Sequence, residues 1–221
     1  MNALILLMLR FSLFGFPITV HWMFWLSTAL LGGADGARNT AQMHALVAFM
    51  LAAFLSVLIH ELGHASVMRK FGDRSVQVVL YAFGGYAQGS RWFSRWEDIL
   101  VTAAGPGLQI AAGLAVYFAM GIWQPPSAWL VYLGVQFIFV SIFWALLNLV
   151  PILPLDGGKL CSAITGKPRL ALRISFVCAI VLAAGFLYLG YGLFTPMFFG
   201  MLAYNNWKQL QGEPQIPWMS A

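Results

Sequence analysis

Two histidines four residues apart flank a glutamate in the pentad His60-Glu61-Leu62-Gly63-His64. On a helix, residues four apart lie one turn above the other on the same face, so both imidazoles can point at one metal ion. Glu61, beside the first of them, is placed to handle the proton of a metal-bound water. The chain has only 4 histidines and 7 acidic residues among 221. Composition alone is therefore a weak explanation for a pentad that gathers three of them.

The setting sharpens the reading. From His44 to Met68 the only ionisable side chains are His44 and the members of the pentad. As a helix that stretch is about 36 Å long, enough to cross a bilayer with some tilt. Ionisable groups inside an apolar span are costly and mark functional sites by default. The plain alternative is a polar cluster that holds helices together.

Catalytic zinc keeps three protein ligands and an open position, so two histidines leave a site one ligand short. The candidate is Asp156, the only acid between Asp98 and Glu213. It lies in Asn148-Leu149-Val150-Pro151-Ile152-Leu153-Pro154-Leu155-Asp156-Gly157-Gly158. Pro151 and Pro154 break a helix there, which predicts Asp156 on unwound chain, tolerated at membrane depth where it lines a wet cavity. An Asp in such a turn is ordinarily a turn residue; the histidine pair at matching depth is what makes it a ligand candidate. Asn148 either braces neighbouring helices or faces the site and binds a substrate carbonyl or oxyanion. His21 and His44 are weaker candidates, and His44 falls at the far end of its span.

The elements that must carry these residues follow from composition. Hydrophobic residues make up 61% of the chain and charged residues 9%, against about a quarter charged in a soluble domain. The fold class expected is an all-α polytopic membrane protein. Six spans are predicted, at about residues 17–31, 44–68, 99–122, 128–151, 170–189 and 191–207, in a single core over 1–207 with a short tail over 208–221. Eleven of the 12 Lys and Arg residues fall on one side of this arrangement, leaving Arg38 alone on the other. The bias puts both termini and the site in the cytosolic half of the membrane. His60 then lies about 13 Å along its helix from Arg69. The net charge of +5 belongs to short loops, so no nucleic-acid partner is expected. The first apolar run lacks the charge order and cleavage site of a signal peptide. Cys161 and Cys178 sit in no metal-type spacing.

Between the second and third spans, Ser75 to Gln88 carries β-branched and aromatic residues broken by Gly84-Gly85. The pattern predicts a short membrane-associated β-hairpin around that pair, whose exposed edge could take an extended peptide by strand addition. An amphipathic surface loop is the alternative. Small residues in Ala103-Ala104-Gly105-Pro106-Gly107 predict a close helix contact.

The motifs His60-Glu61-Leu62-Gly63-His64, Asn148-Leu149-Val150-Pro151 and Pro154-Leu155-Asp156-Gly157, with the Gly84-Gly85 segment between them, resemble the site-2 proteases, intramembrane zinc metalloproteases. The resemblance spans about residues 17 to 207. It implies one zinc ion per chain held by His60, His64 and Asp156, Glu61 as general base, and Asn148, Gly84 and Gly85 as substrate-binding positions. It implies a membrane-spanning protein as substrate, cleaved in or near its transmembrane segment, and a multi-pass protein of a bacterial or archaeal cell membrane. A regulatory membrane partner or a homo-oligomer is a further expectation. Gln109 stands where many members carry asparagine, and the chain leaves no room for the PDZ or CBS domains of some members, so a minimal core is expected. The rival from another class is a transporter or proton relay lined by His60, Glu61, His64 and Asp156. No inverted repeat of the motif supports it.

Overall fold

The structure is a computed structural model describing residues 8–213 except Phe83, Gln124 and Tyr191. Tyr191, which opens the sixth expected span, and the tail beyond Glu213 lie outside the described residues. The elements in chain order are β1 (Leu9–Leu13), β2 (Phe16–Val20), α1 (Trp22–Leu31), α2 (Thr40–Lys70), β3 (Gln77–Tyr81), β4 (Gly84–Gln88), α3 (Arg95–Ile122), α4 (Ala128–Asn148), α5 (Asp156–Thr165), α6 (Pro168–Tyr188) and α7 (Phe194–Leu210). They fall into two compact units. One comprises Met1–Trp92 with Ala104–Ala145, the other Phe93–Ala103 with Leu146–Ala221.

In the first unit, α2 is 31 residues long, about 46 Å at 1.5 Å per residue. The Asn39 side chain caps its start by accepting from the Gln42 amide at 2.9 Å. Arg69 and Lys70 occupy its last turn, where cations suit the helix dipole, and Gly72 follows at φ +94° to end it. The four strands form one sheet in the order β1-β2-β3-β4. β1 and β2 are an antiparallel hairpin turning through Phe14 and Gly15, both at positive φ. β2 runs parallel to β3, with Ile18 opposite Val78. β3 and β4 are antiparallel, with Leu80 opposite Gly85.

The sheet corrects two expectations. Residues 17–31 are not one span: Phe16 to Val20 is a strand and only the 10-residue α1 is helical, about 15 Å. The reason lies in the local period. Phe16, Ile18 and Val20 are buried while Pro17 and Thr19 between them are not, a period-2 pattern hidden inside an apolar run. The strand pair at residues 77–88 belongs to a larger sheet rather than standing as an isolated hairpin. Gly84 and Gly85 are its first residues on β4 and not its turn, which passes through Ala82.

Among the described residues four helices, α2, α3, α4 and α6, are long and apolar enough to cross a membrane. They match the second to fifth expected spans, with α3 starting earlier, at Arg95, and α4 stopping earlier, at Asn148. α1 and the 17-residue α7 are shorter. The second unit packs α6 and α7 around Ile152, Ala179, Phe199, Leu202 and Ala203. Val177 and Val181 of α6 and Val135 and Phe139 of α4 are exposed, as a lipid-facing surface requires.

Asp73, just past α2, ties the sheet to that helix. Its carboxylate accepts from the Ser75 hydroxyl at 2.7 Å, the Ser75 amide at 2.9 Å and the Arg91 amide at 3.0 Å. These bonds, the Ser75 hydroxyl first, hold its pKa below the ordinary aspartate value. A depressed carboxylate pKa stabilises the fold above the unfolded value, about 3.9, and loses that contribution as pH falls through the folded one. Asp73→Asn should therefore lower the melting temperature by a few degrees at pH 7. The gap from the parent should close as the pH drops below about 4, read by thermal unfolding in detergent.

Candidate metal centre

His60, Glu61 and His64 are all buried on α2. The two imidazoles meet edge to face, with ring centroids 4.7 Å apart, and the two Nε2 atoms are 3.0 Å apart. Two nitrogens bound to one tetrahedral zinc at 2.0–2.1 Å lie about 3.3 Å apart. The pair thus fits a shared metal with little movement.

The neighbours of the pair come from three helices of the first unit. α3 crosses α2 so closely that a Cβ on Gly63 would lie 2.5 Å from the Ala104 carbonyl oxygen. A Cβ on Gly105 would lie 2.2 Å from His64 Nε2, so the α3 backbone backs directly onto the His64 ring. Four residues on, Gln109 is fully buried, and its Oε1 lies 2.8 Å from His60 Nδ1. Its Nε2 donates to Ser56 Oγ at 2.8 Å, and Ser56 Oγ is 2.9 Å from Ser141 Oγ of α4. The close contact expected at Ala103 to Gly107 is present, and it also shapes the site. Gln109 falls where many members of the resembling family carry asparagine, whereas Ser56 and Ser141 carry no motif of their own. The available signal was spacing, since Ser56 stands one turn before His60 on the same face.

β4 passes the carboxylate. A Cβ on Gly85 would lie 2.8 Å from Glu61 Cγ and 3.0 Å from its Oε1, whereas one on Gly84 would meet nothing within 4 Å. Glycine at 85 is what lets the strand backbone approach Glu61 this closely. The far side of β4 is an edge of the sheet. His21 caps α1, its Nδ1 accepting from the Met23 amide at 3.2 Å, and its ring lies 4.8 Å from that of Tyr81. Its Nδ1 is thereby committed to the helix start.

In the second unit, Asp156 is buried and is the first residue of α5. It is therefore not on unwound chain as expected. The break is the segment 149–155, and the carboxylate rides on a helix start, where a negative charge is favoured. Lys159 Nζ is 3.8 Å away. The broken segment is held at Leu153: its amide donates to Ser175 Oγ of α6 at 3.0 Å, and its carbonyl accepts from Asn206 Nδ2 of α7 at 2.8 Å. A Cβ on Gly157 would lie 2.1 Å from the Leu149 carbonyl oxygen, and one on Gly158 2.3 Å from the Leu153 amide nitrogen. Asn148 is half-buried at the end of α4.

The donor set fits zinc: imidazole and carboxylate are among its ordinary ligands, and His60, His64 and Asp156 are all buried. Gly105→Ala should displace the His64 ring and weaken zinc binding at least tenfold, read by chelator competition on the purified protein. Gly85→Ala, pressing on Glu61 instead, should leave zinc content unchanged.

Residues 48–126 match peptidase family M50, a stretch that includes the pentad, β3, β4 and Gln109 but stops before Asp156. A zinc metalloprotease of Methanocaldococcus jannaschii is 28% identical over 162 residues, covering 71% of this chain and 45% of that protein. Stage IV sporulation protein FB of Bacillus subtilis is 32% identical over 184 residues, covering 77% and 58%. This chain thus spans about half the length of these relatives. The site-2 protease from Methanocaldococcus jannaschii shares the fold, with a TM-score of 0.62 at 21% identity over 92% of this chain and 95% of that one. With four helices able to span a bilayer, this is an integral membrane protein, and it carries a domain of peptidase family M50, the site-2 protease family.

Proposed function

We propose that the chain is an intramembrane zinc metalloprotease that hydrolyses peptide bonds in or near the transmembrane segments of other membrane proteins. The observation that carries this is the convergence of the His60 and His64 Nε2 atoms, 3.0 Å apart and buried in an apolar span beside Glu61. Asp156, buried at the start of α5, supplies the third ligand. A zinc ion held by these three would supply a Lewis acid and a water made more nucleophilic near neutral pH. Glu61 takes the proton from the attacking water and hands it to the leaving amine. Asn148 binds the substrate carbonyl and steadies the charge that develops there.

A helical substrate keeps its carbonyls in its own hydrogen bonds and must unwind before attack. The free edge of β4 can replace the lost bonds by strand addition. The Gly85 approach to Glu61 means that a peptide paired there would run alongside the base. Both termini and the site lie on the cytosolic side of a bacterial or archaeal cell membrane, in a single core over residues 1–207 with 208–221 as a tail. A regulatory membrane partner or self-association would control access. The transporter reading is not favoured, since the relative from Methanocaldococcus jannaschii is named a zinc metalloprotease and a relay needs no zinc.

Glu61→Gln should keep about one zinc per chain and cleave a single-span substrate about 10²–10⁴-fold more slowly, whereas Asp156→Ala should lose the metal as well. Single-span proteins accumulating with the Glu61→Gln form in native membranes would identify substrates. Undiminished cleavage by that form would remove Glu61 from the mechanism.

A further inference from the structure

A histidine that gives its Nε2 lone pair to a metal carries its remaining proton on Nδ1, and a buried N–H needs an acceptor. At His60 Nδ1, Gln109 Oε1 lies 2.8 Å away. A glutamine amide can be turned either way, so what fixes its oxygen toward His60 matters. At the other end Nε2 donates to Ser56 Oγ, 2.8 Å away, leaving the Ser56 hydroxyl proton for Ser141 Oγ at 2.9 Å. The four groups then form one head-to-tail chain: His60 Nδ1–H to Gln109 Oε1, Gln109 Nε2–H to Ser56 Oγ, Ser56 O–H to Ser141 Oγ. Gln109, Ser56 and Ser141 are each fully buried, so no water competes for any link.

We infer that Gln109 is a positioning residue for the metal: it locks the tautomer and ring orientation of His60, and Ser56 with Ser141 locks the amide of Gln109. The device joins α2, α3 and α4 of one unit, so the first half of the ligand set is oriented by polar contacts internal to that unit. Apolar packing could hold the ring in place but could not choose which nitrogen bears the proton. The amide does both, and it does so without adding a charge to an apolar interior.

This inference rests on the zinc reading, and its test separates the two. Gln109→Met keeps the side chain's length and removes the acceptor; Gln109→Glu restores an acceptor to the same place. Purified full-length protein is titrated with zinc against a chromophoric chelator, and the cobalt-substituted form is followed by its visible absorption. Gln109→Met should bind zinc about 10–100-fold more weakly and change the cobalt spectrum, whereas Gln109→Glu should stay within a fewfold of the parent. Parent-like affinity and spectrum in Gln109→Met would overturn the inference while leaving the zinc reading intact. Equal weakening in both variants would also overturn it, because shape rather than the acceptor would then matter. A parent protein that binds no zinc would sink both. If Gln109→Met does not accumulate in membranes, Ser56→Ala reads the same device. It should weaken zinc severalfold, and unchanged affinity there counts against the relay.

Discussion

Polar groups buried in an apolar span must find partners within the protein, since lipid offers none. The most demanding such groups here are the three buried ionisable side chains of α2, His60, Glu61 and His64, and much of the surrounding structure answers to them. α2 can carry them at membrane depth because β4 comes close to Glu61 and α3 to both histidines. That approach needs glycine at 63 and 105, where any side chain would meet backbone or the His64 ring. Once the two helices touch, Gln109 reaches His60 and is itself satisfied by Ser56. Packing and chemistry are therefore one problem at this crossing, and a substitution that loosens one loosens the other.

The second unit meets a different demand, holding a non-helical segment without leaving its backbone groups bare. Leu153 is the fixed point, with its amide on Ser175 and its carbonyl on Asn206. α6 and α7 thus do more than fill space: each contributes one polar side chain to the segment from which Asp156 follows. Gly157 and Gly158 complete the arrangement because the incoming chain lies where their side chains would be. What the pair supplies is close approach of the backbone.

How far the sequence could be read depended on the range of each signal. The pentad, the long apolar runs that became α2, α3, α4 and α6, and the acid after the Pro-Pro break are local patterns, and they were legible. The strand at Phe16 to Val20 was not, because hydropathy averaged over a window erases a five-residue alternation. Its parallel partner is set by tertiary pairing that no local pattern encodes. Gln109 was visible only as the position, just after Gly105-Pro106-Gly107, where many members of the resembling family carry asparagine. Its meaning depends on where α3 crosses α2, which the small residues announce as a contact but do not aim. The start of α5 at Asp156 was missed for a related reason: two prolines and two glycines read as a break, and the helix that resumes at once is short.

The parallel pairing of β2 with β3 constrains the order of assembly. Ile18 cannot meet Val78 until α1 and α2, which separate them in sequence, have both been synthesised. During that interval the β1–β2 hairpin leaves a ladder edge open, the kind of surface that attracts wrong partners. The long loop this pairing closes makes it a late event. β4 pairs with β3 locally, over residues 77–88, so the β3–β4 hairpin can form first and then close that edge as one piece.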